Sequence, residues 1–126
     1  MDLVEIALMF FGTPYVWGGN YITTGLDCSG FVCEVSRSLG LLGKGDLTAQ
    51  GLYFYYRDIS RGSGIQRNSI LFFGSLEKIS HVAIAIDEKL MIEAGGEGRN
   101  NTDKGYVRIR PISNRGDLVA AIKVKL

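Results

Sequence analysis

Histidine is almost absent from this sequence: there is one, His81, in 126 residues. Any imidazole chemistry therefore falls to that residue. Cysteine is nearly as scarce, with only Cys28 and Cys33. Two cysteines cannot build the disulfide framework of a small secreted scaffold. If both lie on one helix, five positions apart, their Cα atoms exceed the ~7 Å limit for a bridge, so two free thiols are expected. No paired-pair spacing exists for a zinc site, and no cofactor is expected. There is no excess of charge. Fourteen Lys and Arg face 13 Asp and Glu, which argues against a nucleic-acid or membrane-surface partner. No apolar run approaches the ~20 residues of a membrane span, so no transmembrane segment is expected. The start, Met1-Asp2-Leu3-Val4-Glu5, is acidic and lacks the basic region and small-residue cleavage site of a signal peptide.

What is present is an ordinary apolar fraction, 46%, in a length that makes one domain, 1–126, able to bury a core without staples. Leu3, Ile6, Ala7 and Phe10 recur at helical spacing and predict a first helix from Asp2 to about Phe11, ended by Gly12. Pro14 and Gly18-Gly19 interrupt regular structure up to Thr24. A second helix opens at Cys28, turns Phe31, Val32 and Val35 inward, and stops near Gly40. Asp46 is expected to cap a third, with Leu47, Gly51, Leu52 and Tyr55 on its inner face. After the loop Gly62-Ser63-Gly64 the period changes. Ile70 to Phe73, His81 to Ile86, Leu90 to Ala94, Tyr106 to Ile109 and Val119 to Val124 read as strands. Arg108, Arg110, Lys123 and Lys125 alternate with apolar residues and read as solvated strand faces. Helices first and strands after predict an α+β fold, N-terminal helices on one face of a five- to six-stranded antiparallel sheet. The stretch Gly95 to Gly105 reads as a polar loop edging a site.

The chemistry centres on Gly12 to Val32. Asp27 is a good N-cap type, which places Cys28 at a helix N-terminus. There the dipole and unpaired N–H groups favour the thiolate, the reactive form. A free cysteine is more often a small buried hydrophobe. Asp, Ser and Gly around a helix start favour the reactive reading here. Cysteine catalysis also needs a base and a group that orients it. Alternation puts His81, Ala83 and Ala85 on one strand face and Val82, Ile84 and Ile86 on the other. The small face would let a helix approach. If Ile86 faces Leu90 across the turn Asp87-Glu88-Lys89, Ala83 lies opposite Glu93. His81 and Glu93 are then diagonal neighbours, roughly 7–8 Å apart at Cβ. Glu93 could accept the Nδ1–H of His81 and stabilise the imidazolium. Asp27 competes for that role, but it adjoins the nucleophile and would disfavour the thiolate if aimed at it. It is better placed to cap the helix or bind a substrate ammonium.

Four stretches in order carry a resemblance: Pro14-Tyr15-Val16-Trp17-Gly18-Gly19, then Asp27-Cys28-Ser29-Gly30-Phe31-Val32, then His81-Val82-Ala83-Ile84 before Met91-Ile92-Glu93-Ala94. Together the chain resembles the NlpC-type cell-wall cysteine peptidases. The resemblance implies a minimal papain-like fold and an endopeptidase that cleaves amide bonds in peptidoglycan stem peptides, often next to D-γ-glutamyl residues, through a thioester. It implies Cys28 as nucleophile, His81 as base and Glu93 as third polar residue. Tyr15 resembles the site tyrosine. Asp27 and Ser29 match positions that in some members hold the free amine of the stem peptide. Trp17 either shapes the groove or packs in the core. Thr48 and Gln50 echo a Thr/Ser…Gln pattern after the nucleophile helix. The third residue is more often His, Asn or Gln, and Asn68-Ser69 stands where the family usually has Gly-Asp. A monomer is expected. Without a leader the chain would stay in the cytoplasm unless otherwise delivered. A phage, prophage or effector-type enzyme fits, as does one recycling wall fragments. Two other function classes share these residues: a wall-peptide-binding module that has lost catalysis, and an acyltransferase using the same cysteine.

Overall fold

A computed structural model describes residues 1–14, 20–21, 25–58, 62–95 and 105–124 of the chain. Three helices come first. Helix α1 spans Leu3–Leu8 and is held by a capping box, in which the Asp2 carboxylate accepts from the Glu5 N–H and the Glu5 carboxylate accepts from the Asp2 N–H. Such reciprocal caps satisfy two otherwise orphaned donors. The helix ends earlier than its apolar spacing suggests. The N–H groups of Met9, Phe10 and Phe11 reach back only three residues, which tightens the last turn and closes it. Phe10 still turns inward and meets Phe31 edge to face, with ring centroids 6.0 Å apart. Gly12 takes φ +87° and its N–H donates to the Val107 carbonyl.

A two-stranded ribbon, β1 (Asn20–Tyr21) and β2 (Gly25–Leu26), leads into helix α2, Cys28–Ser38. The start of α2 is the one expected, and Asp27 caps it by accepting from the Gly30 N–H at 2.7 Å. Phe31, Val32 and Val35 point into the core, joined by Cys33 and Ser36. Helix α3 covers Ala49–Asp58, and its cap is not the one expected. Thr48 supplies the hydroxyl that accepts from the Gly51 N–H. Asp46 instead accepts from Arg37 at 2.9 Å. The inner face buries Ala49, Leu52 and Tyr56, with the expected Leu47 and Tyr55 packed partly buried against the same core. The buried Tyr56 hydroxyl is satisfied by Ser36 of α2, whereas Tyr55 donates to the Leu41 carbonyl.

Five strands follow: β3 (Ile70–Gly74), β4 (Ile79–Ala85), β5 (Leu90–Gly95), β6 (Tyr106–Pro111) and β7 (Leu118–Ile122). They form one antiparallel sheet in the order β6-β5-β4-β3-β7. This is the α+β architecture expected. The β4–β5 register pairs Ile84 with Ile92 and Ala85 with Met91, the register that sets Ala83 against Glu93. All three helices pack on the face that carries Ile70, Phe72, Val82, Ile84, Ile92 and Ala94. The small Ala83/Ala85 face, expected to receive a helix, does not. It closes over a second cluster with Leu71, Phe73, Met91 and Ile112. Bulky β-branched side chains give a helix more apolar area to bury than alanines do.

Two backbone positions tie this sheet together. Asn68 adopts φ +74°, the left-handed conformation that glycine takes freely and asparagine tolerates. Its amide oxygen accepts from the Val4 N–H and its amide nitrogen donates to Asp2, so the turn before β3 is bonded to the start of α1. Ser69 bonds within the same turn, to Gln66 and Gly64. Asn68-Ser69 thus closes the turn before β3 with its own bonds.

The β3–β4 ladder pairs Phe73 with His81 and then shifts, so that Gly74 faces Ile79. The bulge breaks strict alternation. Ile79 joins Val82 in the helix-side core, while His81 stays with its partner Phe73 on the opposite face. Gly74 sits at φ +119°, and a Cβ there would lie 2.6 Å from the Lys78 carbonyl oxygen. Gly74→Ala is therefore expected to lower the unfolding free energy by at least about 2 kcal/mol, from backbone strain and a clash with main chain. Urea denaturation measures it, and a loss under about 0.5 kcal/mol would show that the bulge yields.

Candidate active site

Cys28 is the first residue of α2 and is half-buried. His81 lies on β4 beside the bulge, 7% exposed, with the Cys28 side chain within hydrogen-bonding reach. Glu93, on β5, is 1% exposed. His81 Nε2 lies 2.7 Å from Glu93 Oε1. The sequence thus correctly places these two side chains together. It misplaces the contact within the ring: the carboxylate takes Nε2, not Nδ1. Nε2 is the far end of the imidazole, and a diagonal neighbour one strand away meets that end first. Nδ1 is left as the nitrogen clear of the carboxylate.

The electrostatics are those of a partly shielded ion pair. Burial alone would lower the pKa of His81. The hydrogen bonds with Cys28 and Glu93, and the electrostatic influence of both, outweigh it and raise the value to about 9. For Glu93 burial is again the largest influence and acts to raise the pKa, yet the bonds from His81 and Arg108 hold it below the usual carboxylate range. Arg108 Nε donates to Glu93 Oε2 at 3.1 Å, and Arg110 Nη1 lies 3.7 Å from the same oxygen. This corrects the reading of Arg108 and Arg110 as a solvated strand face. Both are half-buried and turned to Glu93, with Arg108 directly opposite it in the β5–β6 register. Opposite charges at matched positions of neighbouring strands were the available signal. It needed a register between strands joined by residues 96–105, which no local signal specifies.

A second pair went unread. Arg115 and Asp117 bond in a two-pronged fashion at 3.0 and 2.9 Å. Arg115 lies over the Phe73 ring at 5.1 Å, and that ring lies 5.5 Å from the His81 ring. The field of Arg115 reaches Cys28 and Glu93, and that of Asp117 reaches His81. These residues follow a short 3-10 turn, Ile112–Asn114, in a segment with no periodicity to read.

Asp27 is a helix cap, and the Ser29 hydroxyl donates to the same Oδ1 at 3.3 Å. Gln50 accepts from the Ile79 N–H at 2.8 Å, which ties α3 to the start of β4. Tyr15 and Trp17 lie outside the described residues, as does most of the expected polar loop Gly95 to Gly105. Both cysteines are free. Cys33 is fully buried against the Leu47 backbone, and burial pushes its thiol up to about 11.

Comparison with known proteins places the site in context. The sequence pattern of the NlpC/P60 family matches residues 12–116. Bifunctional muramidase/DL-endopeptidase CwlT of Bacillus subtilis is 32% identical over 121 residues, which take in 90% of this chain and 36% of that protein. The gamma-D-glutamyl-L-lysine dipeptidyl-peptidase of Bacillus cereus is 29% identical over 118 residues, 91% of this chain and 32% of that protein. The chain spans about a third of the length of these curated relatives. Among solved structures, the NlpC/p60 domain of peptidoglycan hydrolase SagA superposes with a TM-score of 0.72 at 28% identity, covering 98% of this chain and 97% of that one.

Two outcomes follow from the geometry. Iodoacetamide at pH 7.5 should add one label to the folded protein, on Cys28, and leave Cys33 untouched until unfolding. Peptide mass spectrometry reads this, and equal labelling of both would overturn it. The second concerns stability. His81 titrates near 6.5 when unfolded and about 9 when folded. A raised folded value means its contribution is complete below pH 6.5 and is lost as pH climbs through 9. Unfolding free energy should fall across that window by up to a few kcal/mol, and His81→Gln should flatten the slope.

Proposed function

The chain belongs to the NlpC/P60 family, and on that premise we propose that it is a cysteine endopeptidase cutting amide bonds in peptidoglycan stem peptides, next to D-γ-glutamyl residues. The observation that carries this reading is the line of contacts from the half-buried Cys28 through His81 to the buried Glu93. A raised His81 keeps an imidazolium beside the sulfur at neutral pH. An imidazolium there favours a thiolate and provides a proton for a leaving amine.

In this mechanism the Cys28 thiolate attacks the scissile carbonyl carbon, and the carbonyl π electrons move to oxygen. The Cys28 backbone N–H, at the start of α2, donates to that oxyanion, with Tyr15 assigned as a second donor on the family resemblance. The intermediate collapses as the C–N bond breaks and the imidazolium of His81 protonates the departing amine. The acyl group is then a thioester on Cys28. Neutral His81 takes a proton from water, the hydroxide adds to the thioester, and the thiolate leaves to restore the starting state. Glu93 stabilises the imidazolium through Nε2. Asp27 and Ser29 are assigned to the free amine of the stem peptide. Residues 1–126 act as one catalytic domain.

Purified peptidoglycan and a synthetic stem peptide test the proposal. Mass spectrometry of the products should show one new amine and one new carboxylate per cut, and Cys28→Ala and His81→Ala should each lose at least about 10³-fold in turnover. No new amine from either substrate would sink the assignment, and so would wild-type turnover in both variants. An acyl group carried to an amine instead of water would show by product mass and mark a transferase.

A further inference from the structure

Glu93 is buried, and desolvation pushes it towards the neutral acid. As a neutral acid it would no longer stabilise an imidazolium. Something must hold its charge without depending on the protonation of His81, the group it serves. Arg108 meets that condition, because guanidinium stays charged at every pH at which the protein is folded. Its Nε bonds Oε2 at 3.1 Å while His81 Nε2 bonds Oε1 at 2.7 Å. The two contacts together set the plane of the carboxyl group. Arg110 is the weaker candidate, at 3.7 Å and with its side chain 34% exposed against 23% for Arg108.

The backbone is built around the Arg108 contact. Glu93 and Arg108 are direct cross-strand partners. Gly95, two residues on along β5 and so on the same face, leaves the space that the guanidinium occupies. A Cβ at Gly95 would lie 3.1 Å from Arg108 Nη2 and 3.2 Å from Glu93 Oε2. Nothing in the family-based reading of the sequence assigns this arginine a role.

We propose that Arg108 is a positioning residue for the proposed reaction: it keeps Glu93 ionised and turned towards His81, and acts on Cys28 only through those two side chains. The inference rests on the peptidase reading for its place in catalysis, but the charge relay itself needs no substrate. The charged and titratable groups around it are His81 on β4, Arg110 beside it on β6, Arg115 and Asp117 ahead of β7, and Cys28 on α2.

The pH dependence of Cys28 alkylation by iodoacetamide tests this on the whole chain, with Arg108→Gln and Arg108→Lys. With the charge removed, Glu93 holds a proton to higher pH and the imidazolium loses support. The alkylation midpoint should then rise by about one pH unit in the Gln variant and by less than half as much in the Lys variant. On a stem peptide, kcat should fall about tenfold in the Gln variant with KM within about twofold of wild type. A midpoint that stays put or falls would overturn the proposal, since Glu93 would then keep its charge unaided. A structural role alone would scale the rate equally at every pH. Should the Gln variant not fold, the Lys variant decides: charge kept and geometry altered predicts a lower kcat at a nearly unchanged midpoint, and an unchanged kcat overturns the proposal. A shifted midpoint in a protein that cuts no stem peptide would leave the relay standing and the peptidase reading fallen.

Discussion

One imidazole, nearly shut away from water, sits among groups that favour its positive charge. Burial opposes that charge, and everything around His81 works against the opposition. The Glu93 carboxylate bonds its far nitrogen, the Cys28 side chain reaches it from the helix start, and the Phe73 ring walls one side. The carboxylate is itself buried and needs cations in turn, which β6 supplies as Arg108 and Arg110. Each group makes the next one's charge tolerable. Buried charges survive only in such paired and hydrogen-bonded sets.

The fold explains how three distant stretches of chain meet there. Helices α1, α2 and α3 share one apolar core on one side of the sheet. His81 and Glu93 emerge on the other side, where none of these three helices packs. The bulge at Gly74 and Ile79 reconciles these demands. It lets Ile79 and Val82 serve the helix-side core while His81 turns to the site. The bond from Gln50 to the Ile79 N–H steadies the same corner from α3. The N-terminus of α2 brings Cys28 to that corner, so the sulfur and the ring meet where the ladder is irregular.

Much of this was legible beforehand because it is local. The Asp27 cap, the start of α2 and its inward Phe31, Val32 and Val35 follow from side-chain chemistry within one turn. The β4–β5 register was readable because a short turn joins the strands, and it led directly to the His81–Glu93 pair. Misreadings arose where a residue's partner lay elsewhere. Asp46 suits a cap, but Arg37 of α2 engages it, and Thr48 caps α3. The Ala83/Ala85 face suits a close-packed helix, but the helices took the face with more apolar area to bury. Arg108 and Arg110 suit water, but Glu93 lies across the ladder from them.

The amino-acid sequence by itself determined which groups could do chemistry: one imidazole, one cysteine at a capped helix start, one acid two strand positions from alignment with the histidine. Period, capping preference and short turns act over a few residues, so they can be read along the chain. Only the tertiary structure decided which ring nitrogen the acid takes, which arginines keep it charged, and which side of the sheet holds the site. Those outcomes depend on competition between faces for buried area and on pairing across long connections, and neither quantity exists until the chain has folded.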